Sequence, residues 1–433
     1  MILKFGMGLL RVPAPPGLTV PILSYHHGDP REFRGRPAGF YELAEGRETV
    51  GQVVQILSNK LDAGEIVAFG ETRAHKHSYR ATMGDAYRCS PALLPAAVGN
   101  ALAGRRLPIA ASGKVTRLPG NWAVAKFAVV RFAYWLRRLA YGALVEKAWQ
   151  VAEVTAPAGE QILSPSTFPE PARWRVLERP KGYRFLADPF YHPGGDGLLV
   201  EALRSSTGLG EIVHLSAGGA VPVSDGKGHY SYPATFSEGN EHHVLPEMSE
   251  WSAPRLFRLG KARLEDSGFL DLPGSPRLLD PTLYAEGGTI FLFANDAAEG
   301  GSILRLWVSE ALSGRFREHP CSPIRVSPAG ARMAGAILAS GAKRLRIGQD
   351  GRRDYGDGIV LFRIGQLTAD AYEETRIGEL RFGQLRGPHT LNASGGKLVF
   401  DFYRNRVSLL AGPRRLRSLL ARRSGAPGAQ NKG

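Results

Sequence analysis

Asp280-Pro-Thr-Leu-Tyr284, then Gly287-Gly288, then Ile290-Phe-Leu-Phe-Ala-Asn295 reads as a short strand, a glycine turn and a second strand ending on a polar residue. The Asp-Pro step punctuates the chain, the glycine pair supplies the reversal, and apolar and aromatic residues fill the strands. The same order recurs four more times. Asp188-Pro-Phe-Tyr191 leads to Leu198-Leu-Val-Glu201, and Tyr232-Pro-Ala-Thr-Phe236 leads to His243-Val-Leu-Pro-Glu247. Ala334-Gly-Ala-Ile-Leu338 leads to Leu345-Arg-Ile-Gly-Gln-Asp350, and His389-Thr-Leu-Asn392 leads to Leu398-Val-Phe-Asp401. The copies are spaced by roughly 45 to 55 residues, the signature of a repeat architecture. Five such hairpins predict an all-β five-bladed propeller; a β-sandwich would give short strands without this repetition. The entry residues and polar strand ends would then converge at one mouth of the channel. That makes Asp188, Glu201, Glu247, Asp280, Asn295, Gln349 and Asp401 candidates for a polar site. Asp188, Glu247 and Asp280 lead that group, although Asp-Pro and Gly-Gly also serve as plain turn chemistry.

Composition fits this reading. With 433 residues, 43% hydrophobic and 22% charged, the chain can bury two or three cores, and a disordered or collagen-like chain is excluded. The 53 glycines and 30 prolines point to many tight turns. Cys89 and Cys321 can form neither a disulfide framework nor a zinc knuckle; they read as reduced thiols of a cytoplasmic protein, with membrane association open and no metal site expected. The net charge of +15 favours anionic partners such as phosphate-bearing sugars, nucleic acid or lipid headgroups; an arginine-preferring coding bias with a solvated surface explains it equally. No apolar run predicts a transmembrane segment. Met1 to Val12 is apolar but lacks a small-residue cleavage site and is not read as a signal peptide.

Ahead of the repeats, Ile2 to Leu10 reads as a buried, central strand, Ile22 to Tyr25 as a second and Ile66 to Phe69 as a third. Val50, Val53, Val54, Leu57 and Leu61 fall at helical spacing, which predicts a helix over 49–61. Strand alternating with helix argues an α/β layer. Residues 121–153 form a long helical pattern containing Trp122, Phe127, Phe132, Trp135 and Leu139. Lys126, Arg131, Arg137 and Arg138 occupy a little under half of its wheel. Such a helix either packs its aromatic stripe on a neighbouring domain or lies on an anionic membrane surface. The chain thus divides into an α/β domain (1–118), a basic helical connector and linker (119–172), the propeller (173–410) and a basic tail expected to be disordered (411–433). The tail's arginines could touch nucleic acid, but no RNA-binding fold signature accompanies them.

The segment Ser24-Tyr-His26-His-Gly28-Asp-Pro-Arg-Glu-Phe-Arg34-Gly35 carries chemistry. A histidine just after a buried strand sits where open α/β sheets place ligands, and Leu61-Asp62-Ala-Gly64 precedes another strand. His26 and Asp62 so placed can act as an acid/base pair. With Glu42 and Thr49 in the intervening Gly39-to-Gly51 stretch, residues 1–95 resemble the formyltransferase family, which includes methionyl-tRNA and nucleotide-sugar formyltransferases. The resemblance implies a partial Rossmann-like domain and N10-formyltetrahydrofolate as formyl donor to an amine, an amino sugar or nucleotide sugar ranking above transfer RNA. It implies that His26 stabilises the oxyanion, that Asp62 relays the amine proton, and that Gly28, Arg34 and Gly35 line the site. Ser24 stands where the family has an oxyanion-donating Asn. The family's preceding βα units are not in the sequence, so the resemblance implies an N-terminally shortened domain or a mis-started reading frame, with an exposed sheet edge unless another chain covers it.

Phe185-Leu-Ala-Asp-Pro-Phe190, Ser231-Tyr-Pro, Leu245-Pro-Glu, Asp280-Pro-Thr, Ala331-Arg-Met-Ala-Gly335 and Gly348-Gln-Asp resemble a second family across residues 175–405. This is the N-terminal domain of plant glucosamine inositolphosphorylceramide transferase, similar in architecture to five-bladed glycosidases. It implies a glycan partner, bound by the propeller or hydrolysed by Asp188 with Glu247 or Asp280. Three functions stand from the sequence: amino-sugar formylation with glycan recognition, glycan or glycolipid binding beside a degenerate formyltransferase remnant, or glycoside hydrolysis.

Overall fold

The computed structural model describes residues 1–5, 20–58, 60–155, 167–195, 197–248 and 251–416. The chain forms two compact units, Met1–Leu139 with Val326–Pro328, and Ala140–Arg325 with Ala329–Gly433.

The second unit is built from five sheets of one plan. Blade I runs through Tyr183–Tyr191, Leu198–Arg204, Gly210–Ser216 and Gly219–Pro222. Blade II uses Ser231–Glu238, Glu241–Glu247, Arg255–Leu259 and Leu264–Phe269. Blade III uses Leu278–Glu286, Thr289–Asp296, Ile303–Ser309 and Arg317–Glu318, and blade IV uses Ala329–Met333, Lys343–Asp350, Ile359–Leu367 and Tyr372–Leu380. Blade V takes Leu391–Ser394 and Lys397–Val407 from the end of the repeat region. Its outer strands, Val145–Thr155 and Arg175–Val176, come from ahead of blade I. Val145 pairs with Val407 and Thr155 with Lys397, so the ring is closed by a long antiparallel ladder between distant segments. Each inner sheet is covered on both faces by its neighbours, which is why Phe291, Leu292, Phe293 and Ala294 are all buried in succession.

The helix expected over 121–153 therefore ends earlier: it spans Asn121–Leu144, and Val145–Thr155 is a strand. Val145, Val151, Val154 and Thr155 favour the extended form, and the full-length pairing with Lys397–Val407 fixes it.

The first unit has a sheet of Ile2–Lys4, Ile22–His26, Thr49–Ile56 and Glu65–Arg73 in that spatial order, with helices Tyr79–Cys89 and Leu94–Leu102 after it. Only the first pairing is parallel; the other two are antiparallel, so a hairpin stands where βα alternation was expected. The helix expected over 49–61 is a strand, Thr49–Ile56. Its residues 50–55 are buried on both faces, and the buried amides of Gln52 and Gln55 mimic the polar side of a helical pattern. Gln52 donates to Thr72 Oγ1 at 3.3 Å and accepts from Ser90 Oγ at 2.8 Å, while Gln55 accepts from the Gly64 N–H at 2.9 Å. Ile2–Lys4 lies at the sheet's edge rather than its centre, and Ile2 is 43% exposed. Residues 411–416 of the tail expected to be disordered are helical instead, with Ala411 buried, while residues 6–10 of that expected strand, 156–166 of the expected linker and 417–433 of the tail lie outside the described residues.

Candidate functional site

At the inner edge of the ring, three neighbouring blades use one device. Asp188, Tyr232 and Asp280 each precede a proline and take a left-handed backbone, with φ of 48°, 46° and 46°. That conformation costs a non-glycine residue about 1–3 kcal/mol and persists only where surroundings enforce it. Here a carboxyl group enforces each one. The Asp188 N–H donates to Asp401 at 3.0 Å, the Tyr232 N–H to Asp188 at 3.3 Å, and the Asp280 N–H to Glu247 at 3.0 Å. Each bond crosses from one blade to the next. The strained turns thus aim side chains inward while latching the ring.

The result is a pocket of about 320 Å³ lined by Asp188, Glu201, Glu247 and Asp280, with Arg332, His229 and His389 among them and Trp149, Phe185 and Tyr355 on its walls. Asp188, Glu201, Glu247 and Asp280 were expected there. Asn295, Gln349 and Asp401 were expected too, but they do not line it. Asn295 Nδ2 donates to the Ile303 carbonyl at 2.5 Å, and Gln349 Nε2 donates to Asp280 Oδ2 at 2.6 Å. Asp401 is fully buried, accepting from the backbone N–H groups of Asp188, His389 and Thr390. These three brace the site from behind.

Two cations set its electrostatics. Arg332 donates from Nε to Asp280 at 2.6 Å and from Nη2 to Glu247 at 3.0 Å. Burial, then the Asp280 charge, pushes the Glu247 carboxyl up to about 8 despite Arg332, so it carries its proton at neutral pH. His389 Nδ1 stands 3.1 Å from Asp188 and 3.3 Å from Asp401. Burial alone would lower His389, but the two carboxylates outweigh it and raise the imidazole to about 10. Asp188 is correspondingly held below its ordinary range, burial opposing and His389 prevailing. The same three residues offer ligand atoms within 4.8 Å of one another. A metal there would have to displace the imidazolium proton that already neutralises the pair. His389 lines the pocket, and its buried Nε2 has no hydrogen-bond partner, which leaves an N–H for a ligand.

Sequence reasoning missed Arg332, His389, Trp149 and Tyr355 as site residues. Arg332 and His389 lay inside quoted motifs; Trp149 was hidden in the segment read as helix.

In the first unit, His26 and Asp62 do meet. His26 Nδ1 is 3.4 Å from Asp62 Oδ2, His26 Nε2 is 3.3 Å from the Phe33 carbonyl, and the Gly35 N–H donates to Asp62 at 3.0 Å. A side chain at Gly28 would come within 2.7 Å of His26 Nε2, so glycine keeps that approach open. Arg34 is directed elsewhere, to the Gly113 carbonyl at 2.9 Å, and Ser24 Oγ to the neighbouring Tyr25 carbonyl at 3.4 Å. Glu42 of the same motif is buried, which raises its carboxyl to about 7.

Residues 180–394 match the family described as glucosamine inositolphosphorylceramide transferase 1, N-terminal, a stretch running from blade I to the first strand of blade V. Glucosamine inositolphosphorylceramide transferase 1 of Oryza sativa subsp. japonica is 32% identical over 211 residues, covering 45% of this chain and 28% of the rice protein. Its namesake in Arabidopsis thaliana is 27% identical over 216 residues, covering 45% of this chain and 27% of that one. The chain thus spans less than a third of these curated relatives. Among solved structures, a family 117 glycoside hydrolase of the marine bacterium Zobellia galactanivorans shares 10% identity and a TM-score of 0.36, over 61% of this chain and 91% of that one. The second resemblance expected from the motifs is therefore found, over residues 180–394.

Proposed function

We propose that the propeller pocket binds a saccharide. The observation that carries this reading is the combination, in one cavity, of four carboxyl groups with the Trp149, Phe185 and Tyr355 rings and the unpaired His389 Nε2. Sugar hydroxyls donate to carboxylates and accept from imidazolium and guanidinium, while the C–H faces of a pyranose lie on aromatic rings. The names of the matched relatives point to hexosamine and inositol-phosphate headgroups as the first probes. Isothermal titration of the full chain against such a panel should find a binder. Tyr355 is 45% exposed at the wall and packs its ring on His389, with centroids 4.6 Å apart. Tyr355→Ala should weaken that binder about tenfold while the variant still unfolds in one cooperative transition. A panel without a binder, or a Tyr355→Ala variant that binds as well as wild type, overturns the reading.

Hydrolysis is the finer form of the same reading. Protonated Glu247 would donate to a glycosidic oxygen, and ionised Asp188 would serve as the second carboxylate. Glu247→Gln, isosteric with the neutral acid, should keep the sugar and abolish release of reducing ends. Release that survives this substitution excludes Glu247 as the acid, and no release from wild type leaves binding alone.

The His26–Asp62 pairing favours a second reading for the first unit, transfer of a formyl group to an amino sugar. N10-formyltetrahydrofolate would supply the formyl group. His26 would donate toward the oxyanion, and Asp62, fixed by the Gly35 N–H, would take the amine proton and pass it to N10 as the formyl C–N10 bond breaks and tetrahydrofolate leaves. His26→Ala and Asp62→Ala should each lower transfer to an amino-sugar nucleotide about a hundredfold or more. Wild-type protein that transfers nothing across such a panel sinks this reading without touching the first.

A further inference from the structure

As far as Leu139, where the first unit ends, the helix Asn121–Leu144 packs within that unit along one narrow line. Phe127 stacks on Phe40 with ring centroids 4.4 Å apart, and Arg131 is buried and donates to the Leu43 carbonyl at 2.9 Å. Arg131 also lies over the Phe127 and Tyr134 rings, at 4.9 and 5.4 Å. Phe127, Arg131 and Tyr134 share one face at helical spacing.

The aromatic stripe expected to pack is elsewhere. At 100° per residue, the ten positions Trp122, Val124, Ala125, Ala128, Val129, Phe132, Ala133, Trp135, Leu136 and Leu139 fill an arc of roughly 180° that holds no charged residue and, at the helix's first position, the polar Asn121. All ten are exposed; Trp122 is 82%, Val129 68%, Phe132 58% and Leu139 50% accessible. Lys126 and Arg137 lie at one border of the arc and Arg138 beyond the other, all three exposed. An exposed apolar face this large marks a contact surface.

We propose that this helix lies in the plane of an anionic lipid bilayer, with Trp122, Phe132 and Trp135 buried in the interface and Lys126, Arg137 and Arg138 on lipid phosphates. Charge chooses the occupant. In a pair of copies joined through this arc, basic borders would meet basic borders, whereas a headgroup layer bearing negative charge complements them. The arc is rich in aromatic residues, which favour the boundary between headgroup and acyl chain. The helix lies on the membrane rather than through it: among the described residues no helix is long and apolar enough to cross. This inference stands independently of the saccharide and formyl readings.

The test is sedimentation of the full chain with vesicles of phosphatidylcholine alone or mixed with phosphatidylglycerol. The mixed vesicles should carry the protein down, with binding weakened by salt and a blue shift in tryptophan emission. Lys126→Ala, Arg137→Ala and Arg138→Ala together should weaken binding about a hundredfold. The triple variant Trp122→Ser, Phe132→Ser, Trp135→Ser should abolish it while the chain still unfolds cooperatively, because Trp122 is 82% exposed and Phe132 and Trp135 stack on each other. Absence of binding to the mixed vesicles overturns the proposal, as does binding indifferent to the aromatic triple. A doubled mass in light scattering that this triple abolishes, with no vesicle binding, assigns the face to a second copy instead.

Discussion

Arg346→Ala should destabilise the propeller by about 3–5 kcal/mol, the range for breaking one side of a buried ion pair. Arg346 is the largest fully buried side chain of the described residues, at 0% exposure on strand Lys343–Asp350. It forks onto Glu374 with bonds of 2.7 and 2.9 Å, donates to the Gly330 carbonyl at 2.6 Å, and lies 4.3 Å over the Phe362 ring. Glu374 also accepts from Tyr372 at 2.6 Å and from Arg325 at 2.8 Å. Burial alone would raise the Glu374 carboxyl, but Arg346 and then Arg325 overcome it and hold the group at about 2. Because Arg325 remains, the single substitution leaves Glu374 with one cation, which argues for the lower part of that range. In thermal unfolding this corresponds to a drop of about 10 °C. The double variant Arg346→Met, Glu374→Leu removes this pair at similar volume and should recover only part of the loss, because Arg325 and Tyr372 then lose their acceptor. A single variant within about 1 kcal/mol of wild type would sink the argument.

The same network has an acid signature. Glu374 has a folded value of about 2 against an ordinary 4.5, so its contribution is complete above 4.5 and is lost as pH falls from there toward 2. Wild type should lose stability across that interval more steeply than Arg346→Ala, in which much of the depression is gone.

Much of the propeller is legible because its repeats are local. Each hairpin carries its own proline, glycine turn and apolar run, so blades I to IV follow from contiguous residues, as do the positions of Asp188, Glu247 and Asp280. What escapes the reading is what ring closure brings together. Trp149 reaches the pocket only because Val145–Thr155 pairs with Lys397–Val407, and nothing local in that strand announces a partner some 250 residues away. Tyr355 sits in a connection between strands, and Arg332 acts across blades on Glu247 and Asp280. In the first unit His26 and Asp62 lie 3.4 Å apart, as near as their motifs lead one to expect, whereas Thr49–Ile56 misled: a strand buried on both faces has no period to read, and its glutamines supplied a false one.

His389→Ala should be as costly as loss of Arg346, with the opposite pH signature. It leaves Asp188 and Asp401, 3% and 0% exposed, as two buried carboxylates without the cation between them. A loss of about 3–5 kcal/mol is expected near neutral pH. The folded imidazole at about 10 lies above its ordinary 6.5, so its stabilisation is complete below 6.5 and fades as pH rises toward 10. Asp188 is depressed below 3.8, so its share is complete above 3.8 and is lost in acid. Both are complete between 3.8 and 6.5, where denaturant midpoints of wild type and variant should differ most, the gap closing toward pH 10. Asp188→Asn in the His389→Ala background removes one of the stranded charges and should restore part of the stability. It should not restore saccharide affinity, because the pocket then lacks both the Nε2 donor and the Asp188 charge. A His389→Ala variant whose stability tracks wild type from pH 6.5 to 10 would show that the imidazole is not held protonated by Asp188 and Asp401, and the pocket's donor would then have to be sought at Arg332.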